Sequence, residues 1–176
     1  MKVAILCASP RSIYKQIEGV DVYDKRRDAR TFPGGCPVVA HPPCRAWSKA
    51  WRHKAKPEPG EKELGVWCAE RLRECGGVLE QPAGSALFEA AGLPLPGEVR
   101  ARLFTLVVEQ SWWGYTVRKL TWLCFSGIPP AEIHLPFCLR DERGDRKRFE
   151  NMSHAQRSRT VRPFAEWLIA AARLAG

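Results

Sequence analysis

The sequence predicts an α/β domain in which a mostly parallel sheet is flanked by helices. Short apolar runs alternate with amphipathic segments, as they do in chains built from successive strand and helix units. Two of these runs, Val3–Ala8 and Val38–Ala40, are apolar throughout, which indicates strands buried on both faces. A length of 176 residues with 45% hydrophobic side chains suits one core. We therefore expect a single domain over residues 1–176.

The remaining strands are predicted from apolar runs that stop at turn-forming or charged residues. The third strand, Val38–Ala40, must end where Pro42 and Pro43 follow, because proline cannot donate to a sheet ladder. Gly76 and Gly77 precede a run that breaks at Glu80. The further strands are predicted at residues 20–23, 106–109 and 121–125.

Three helices are predicted between or after these strands. Glu61–Cys75 carries apolar residues at three- and four-residue spacing and is followed by two glycines that can end a helix. Residues 86–91 form a shorter helix, and residues 162–174 a terminal helix with an apolar face. Ser9 and Pro10 break the first strand, with Ser9 as the expected cap of a short helix.

The charge of the chain favours an anionic partner. The formal net charge is +9 and the isoelectric point is near 9.5. Nucleic acid is the first expectation and a nucleotide the second, and a basic protein with neither partner is the alternative. Arginines concentrate late in the chain, at residues 157–162 among others.

The apolar runs and the cysteines indicate in which cellular compartment we expect the protein. No apolar run approaches the length of about 18 residues needed to span a membrane, so we expect no membrane partner. The opening residues are interpreted as a strand and not as an export signal. Seven scattered cysteines without a CxxC pair favour reduced thiols and no metal site. A cytoplasmic protein is expected.

Polar side chains stand where the predicted strands end. Ser9, Asp24, His41 and Glu80 each follow an apolar run. In parallel sheets the ligand lies beyond the carboxyl ends of the strands, so these residues should face one crevice. Asp24 also matches the acidic residue that accepts hydrogen bonds from ribose hydroxyls in dinucleotide-type sites.

Cys44 is the candidate nucleophile. The two prolines before it restrict the backbone and can present the thiol in a fixed direction, and a thiolate is a strong nucleophile. Arg45, His41 or a helix beginning near residues 47–48 would lower its pKa. His41 could orient or deprotonate Cys44, or bond only to backbone. A small cysteine buried in a turn is the equally weighted alternative.

Glu80 favours the functional interpretation of Cys44. A carboxylate directly after an apolar strand is costly unless it is paired or used. A cysteine and a carboxylic acid at neighbouring strand ends suit attack on a pyrimidine. The thiolate adds to C6, and the carboxyl group bonds the N3 and N4 edge and favours protonation there. C5 then becomes a carbon nucleophile for a one-carbon electrophile.

Four motifs resemble those of a known family. The segment "PPCRAWS" resembles the Pro-Cys nucleophile motif of the DNA cytosine-5 methyltransferases, and "VLEQPAGS" resembles their Glu-Asn motif. The sequence is more similar still to short phage- and prophage-borne DNA-methylase-like proteins. These carry, in order, motifs matching His41-Pro42-Pro43-Cys44, Glu80-Gln81-Pro82, residues 113–123 ("WGYTVRKLTWL") and residues 157–160 ("RSRT").

The resemblance implies a Rossmann-like methyltransferase-type fold, S-adenosylmethionine as cofactor, and DNA or a pyrimidine nucleotide as substrate. The setting would be a bacterial or phage-infected cell. Cys44 would be the nucleophile and Glu80 the base-edge residue, with His41 beside them. The expected cofactor residues are Ser9, Asp24, Asp28 and Pro42. The expected substrate residues are Arg45, Ser48, Gln81, Arg118, Lys119, Arg157 and Arg159.

The sequence also departs from that family. The loop after the first strand, residues 7–12, contains no glycine, although the methyl-donor loop of the family is glycine-rich. Gln81 stands where asparagine is usual, and we expect no separate target-recognition domain; a homodimer could complete the substrate groove. Two alternatives follow. One is a transferase or hydrolase that acts without S-adenosylmethionine on a hydroxymethyl-type pyrimidine of phage DNA. The other is a non-catalytic DNA-binding anti-restriction relic of the fold.

Overall fold

Seven strands form one sheet in the computed structural model, which describes residues 1–48, 56–136 and 152–175. Their bounds are β1 Val3–Ala8, β2 Val20–Asp24, β3 Val38–Ala40, β4 Gly77–Pro82, β5 Val99–Arg100, β6 Leu103–Glu109 and β7 Leu120–Ser126. Six of these strands contain the apolar runs predicted from the sequence, whereas β5 is a pair of exposed residues that was not predicted.

The sheet is mixed, where the sequence predicted a mostly parallel one. Its order is β2-β1-β3-β4-β7-β6-β5. The pairs β2–β1, β1–β3 and β3–β4 are parallel, whereas β4–β7, β7–β6 and β6–β5 are antiparallel. The last strand in sequence therefore lies between β4 and β6. This insertion depends on long-range pairing, which the local apolar pattern does not encode.

Helices cover both faces of the sheet. The helices are α1 Glu61–Cys75, α2 Leu87–Ala90, α3 His154–Arg157 and α4 Arg162–Ala172. The predicted bounds of α1 are confirmed, and α4 starts where predicted. One buried cluster joins α4 and Tyr14 to Val39, Val78 and Phe125, and a second joins α1 and α2 to Val38, Leu79 and Cys124. The result is a three-layer α/β structure with a core on each side of the sheet.

The first loop differs from its prediction. Ser12, and not Ser9, caps the short 3₁₀ helix Ile13–Gln16 by accepting a hydrogen bond from the Tyr14 amide. The pairing register shifts between Ile5 and Ala8, and Cys7 adopts a left-handed φ of 61° there. This irregularity lies within β1, and pairing with β2 resumes after it at Ala8 and Asp24. Within the described part of the chain, no helix has the length and apolar character needed to cross a membrane.

Candidate active site

The parallel half of the sheet brings the predicted strand-end residues together. Strands β3 and β4 are adjacent, with Ala40 opposite Leu79, so the residues that follow, His41 and Glu80, become neighbours. His41 Nδ1 lies 3.1 Å from Glu80 Oε2. Both side chains are largely buried, with 13% and 12% of their surface exposed. The contact joins two positions that are 39 residues apart in sequence.

Tyr14 is the third member of this hydrogen-bonded chain. Its hydroxyl lies 2.9 Å from His41 Nε2, and the side chain is fully buried. Burial, together with the charge of Glu80, raises the pKa of Tyr14 well above its usual value, so the hydroxyl keeps its proton. His41 thus bonds to Tyr14 through Nε2 and to Glu80 through Nδ1, and these two contacts fix the orientation of its ring.

Glu80 is ionised despite its burial. Burial alone would raise its pKa, but Lys119 and the hydrogen bonds from His41 and Gln110 outweigh that effect and lower it. Lys119 Nζ lies 4.0 Å from Glu80 Oε1, and Gln110 Nε2 donates to the same oxygen at 3.0 Å. The carboxylate is thus an anionic acceptor held from both sides at the end of β4.

Cys44 lies at the start of the 3₁₀ helix Cys44–Ala46, directly after Pro43, and is partly exposed. Burial and the negative charge of Glu80 raise the pKa of its thiol, and Lys119 opposes them. The expectation of a lowered pKa is wrong. The two residues that were predicted to lower this pKa have other partners. Arg45 pairs with Glu61 and Glu58, and both ring nitrogens of His41 are hydrogen-bonded.

Gln81 supports the loop that carries Cys44. Its Nε2 donates to the Pro42 carbonyl at 2.5 Å, and the Ser85 hydroxyl donates to its Oε1 at 3.0 Å. Gln81 is 1% exposed, so the structure gives it a supporting position instead of the predicted substrate contact. Pro42 likewise serves this contact through its carbonyl. Ser48 is partly buried at the end of the described segment.

A basic rim borders the site next to Glu80. Lys119 Nζ lies 5.6 Å from the centre of the Tyr115 ring, and the Tyr115 hydroxyl donates to the Gln156 carbonyl at 2.9 Å. Burial raises the pKa of Tyr115, whereas the positive charges of Arg159 and Arg157 act in the opposite direction, which places both arginines near this ring. Arg118 instead forms an ion pair with Glu109 at 3.1 Å.

The residues predicted to hold the cofactor are engaged within the protein. Asp24 is buried, pairs with Lys15 and accepts hydrogen bonds from the Arg26 and Arg27 amides at 2.8 and 3.1 Å. The bond from Lys15 is the main reason that its pKa falls to about 2.

Asp28 and Ser9 have local roles as well. The Asp28 carboxylate caps the 3₁₀ helix Ala29–Thr31 by accepting from the Arg30 amide at 3.0 Å. The Ser9 carbonyl accepts a hydrogen bond from the Ser12 amide at 2.9 Å, which closes a tight turn after β1. The expected cofactor loop is therefore a compact turn followed by the 3₁₀ helix.

Sequence reasoning missed Tyr14 and Gln110. Tyr14 lies in the segment after Ser9, which was predicted only as a short helix, and Gln110 follows β6 as Glu80 follows the apolar residues of β4. The position of Gln110 directly after a buried strand was a usable signal. Tyr14 gave none, because its partner lies 27 residues away on another strand.

Comparisons with known proteins leave the site to be judged on its own geometry. No model of a known protein family matches this chain, and no curated protein matches it. In residues 1–48, 56–136 and 152–175, no group of three or more histidine, cysteine, aspartate or glutamate side chains is arranged to hold a metal ion. The reactive groups that the described residues bring to the site are the Cys44 thiol, the Glu80 carboxylate and the Lys119 ammonium group.

Proposed function

We propose that this protein is a pyrimidine-base-modifying enzyme, similar in its chemistry to the cytosine C5-methyltransferases, in which Cys44 attacks the base. The observation that carries the proposal is the grouping of a thiol, an ionised buried carboxylate and a lysine at the ends of β3 and β4. Glu80 and Lys119 are 4.0 Å apart, and both act electrostatically on Cys44. A nucleophile beside groups that can bind and polarise its substrate is the arrangement that covalent catalysis requires.

Glu80 is suited to bind the edge of a 4-aminopyrimidine. Its oxygens accept hydrogen bonds from His41 and from Gln110, and a carboxylate oxygen can accept a second one. Glu80 can therefore take a hydrogen bond from the exocyclic amino group and stabilise a proton on N3. A ring protonated at N3 is more electrophilic at C6. The low exposure of Glu80 strengthens this effect, because the surrounding dielectric is low.

The same carboxylate controls the nucleophile. While Glu80 is an unneutralised anion, its charge helps to hold Cys44 as a thiol. A base that carries a proton on N3 neutralises Glu80, and the pKa of Cys44 then falls. The thiol proton leaves to solvent and Sγ forms a bond to C6. The C5–C6 double-bond pair shifts toward C4, which neutralises the ring protonated at N3 and makes C5 nucleophilic. After C5 accepts an electrophile, loss of its original proton and departure of Sγ restore the ring.

The residues predicted to bind the methyl donor, S-adenosylmethionine, are already engaged within the protein. The residues that would hold S-adenosylmethionine do not fit it as they stand, because the buried Asp24 carboxylate already accepts three hydrogen bonds, from Lys15 and from the Arg26 and Arg27 amides, and Asp28 caps a helix. The proposed chemistry therefore contains no step through this cofactor. The same observation favours the alternative named above, a transferase or hydrolase that acts on a hydroxymethyl-type pyrimidine without that cofactor.

The basic rim supports a phosphate-bearing substrate, either DNA or a pyrimidine nucleotide. Lys119, Arg157 and Arg159 lie around Tyr115, next to the carboxylate that would bind the base. Cationic side chains beside a base-binding group are positioned to contact the adjoining phosphate. The net charge of +9 acts in the same direction at longer range.

Covalent trapping tests this function. The probe is an oligonucleotide that carries one 2-pyrimidinone base, whose C6 is more electrophilic than that of cytosine. We expect an adduct with the summed mass of protein and oligonucleotide, because addition of a thiol to a double bond loses no atoms. Peptide mapping should locate the adduct on Cys44, and Cys44→Ser should form none. Absence of an adduct with the unaltered protein would contradict the proposal.

A further inference from the structure

One buried acceptor in the site has no partner within the described structure. Gln110 is 1% exposed and begins the 3₁₀ helix Gln110–Trp113. Its Oε1 is shielded from solvent and accepts no hydrogen bond among the residues that the structure describes. A buried polar atom without a partner is energetically unfavourable and uncommon in folded proteins, which suggests that a ligand satisfies it.

The orientation of the Gln110 amide follows from its neighbours. Nε2 lies 3.0 Å from Glu80 Oε1 and 3.0 Å from Thr121 Oγ1. The Glu80 carboxylate can only accept, and the Thr121 hydroxyl spends its own proton on the Lys119 carbonyl. Both neighbours of this amide group are therefore acceptors, and the Gln110 atom that faces them must be the donating nitrogen, Nε2. Reversing the amide would place its oxygen against two acceptors, so Oε1 is the atom left without a partner.

The separation between this acceptor and Glu80 has an upper limit that one amino group can span. From standard bond lengths the two polar atoms of an amide lie about 2.2 Å apart, so Gln110 Oε1 is within about 5 Å of Glu80 Oε1. A planar amino group that donates two hydrogen bonds of about 2.9 Å at about 120° spans acceptors that are about 5 Å apart. One exocyclic amino group can therefore donate to both residues.

We propose that Gln110 is a specificity-determining residue whose Oε1 accepts the second hydrogen of the exocyclic amino group that Glu80 binds. This inference rests on the proposed function and adds a second recognition contact to it. A 4-amino base satisfies the orphaned acceptor. A 4-oxo base presents an oxygen to Gln110 Oε1 and to the Glu80 carboxylate, and is rejected.

Binding of two mononucleotides measures this contact without any turnover. The probes are deoxycytidine and deoxyuridine 5′-monophosphate, titrated calorimetrically into the unaltered protein and into Gln110→Met, which keeps the volume of the side chain. We expect the unaltered protein to prefer the amino base, and Gln110→Met to lose about tenfold of that preference, through weaker binding of the amino base alone. An unchanged preference would overturn the proposal.

Thr121→Val is the matched control. The Thr121 hydroxyl accepts a hydrogen bond from the Gln110 amide but makes no contact with the base in the proposal. This variant should therefore keep most of the preference for the amino base. An equal loss in Thr121→Val would show that Gln110 acts by packing only and would overturn the proposal. If Gln110→Met does not fold, the unaltered protein still decides, because equal binding of the two nucleotides contradicts an amino-specific contact.

The outcomes separate this inference from the proposed function. Trapping at Cys44 without a Gln110-dependent preference leaves the function and removes the inference. A Gln110-dependent preference without trapping leaves a base-binding site and removes the covalent chemistry. Absence of binding of either nucleotide, with absence of trapping, removes both.

Discussion

At the scale of single residues, the site depends on which groups Glu80 faces. His41, Gln110 and Lys119 each stabilise its charge, and that charge in turn opposes ionisation of Cys44. Burial and this charge keep the pKa of Cys44 raised in the free protein, and in the proposed function a ligand that neutralises Glu80 lowers it. This differs from cysteine sites in which an adjacent cation holds the thiolate permanently.

Replacing Glu80 by glutamine tests this coupling. Removal of the negative charge leaves Lys119 unopposed, so the pKa of Cys44 should fall and its alkylation by iodoacetamide near neutral pH should become faster. The measurement is the pH dependence of Cys44 alkylation, followed by peptide mass mapping. Cys124, whose pKa burial raises to about 12, is the internal control and should not change. A slower or unaltered reaction at Cys44 in Glu80→Gln would contradict the coupling.

Tyr14 should contribute to stability through its single buried hydrogen bond. Tyr14→Phe leaves His41 Nε2 without a partner in a buried setting, and we expect a loss of about 1–3 kcal/mol in the free energy of unfolding. Tyr23→Phe is the matched control. The Tyr23 side chain is equally buried, but its hydroxyl bonds to Asp21 and Arg27, which are exposed enough to bond to water instead, so its loss should matter less. Urea unfolding of both variants measures the difference. Equal losses would show that the contact with His41 has no special weight.

At the scale of secondary-structure elements, the sequence pattern predicted the positions of helices and strands better than it predicted the order of the strands in the sheet. Helix α1 and strand β3 were predictable, since glycines and prolines bound apolar repeats there. The place of β7 between β4 and β6 was not predictable, because pairing among strands depends on contacts distant in sequence. The bond between His41 and Glu80 follows from strand order and was partly foreseeable, whereas the partners of Tyr14 and Gln110 were not.

The close approach of β3 and β4 places a strict demand on one glycine. Gly77 has a φ of +116°, and a Cβ there would lie 2.0 Å from the Val38 carbonyl oxygen. Gly77→Ala should therefore separate the two strands that carry His41 and Glu80, and cost several-fold more stability than Gly84→Ala. Gly84 has a φ of +80° with nothing within 4 Å of the added carbon, so strain of about 1–2 kcal/mol is expected there. Comparable urea midpoints for the two variants would contradict this.

At the scale of the whole molecule, positive charge lies beside the site, where the proposed function requires substrate phosphates to bind. Arg159 lies near Tyr115 beside the site. Arg102 directly precedes β6, at the ends of the strands that lie farthest from the site. The net charge attracts a polyanion from any direction. The rim should decide where its phosphates are finally bound.

Salt dependence of oligonucleotide binding separates these two effects. Arg159→Gln should lower the slope of log K against log salt by about one, because it removes one phosphate contact. Arg102→Gln removes the same charge from the far ends of the strands and should change the slope much less. The measurement is fluorescence anisotropy with a short single-stranded cytosine-containing oligonucleotide over a series of salt concentrations. Equal slopes in the two variants would place the phosphates elsewhere.

The most direct test of the account is exchange of the C5 hydrogen of cytosine with solvent. Reversible addition of Cys44 to C6 lets C5 take up a deuteron from heavy water and lose its own proton when the thiol departs, so no donor is needed. We predict that the protein raises the mass of cytosine, in deoxycytidine monophosphate or in an oligonucleotide, by one unit. Cys44→Ser should abolish this exchange, and Glu80→Gln should slow it strongly. Exchange no faster than in buffer, or equally fast in Cys44→Ser, would contradict covalent attack by Cys44.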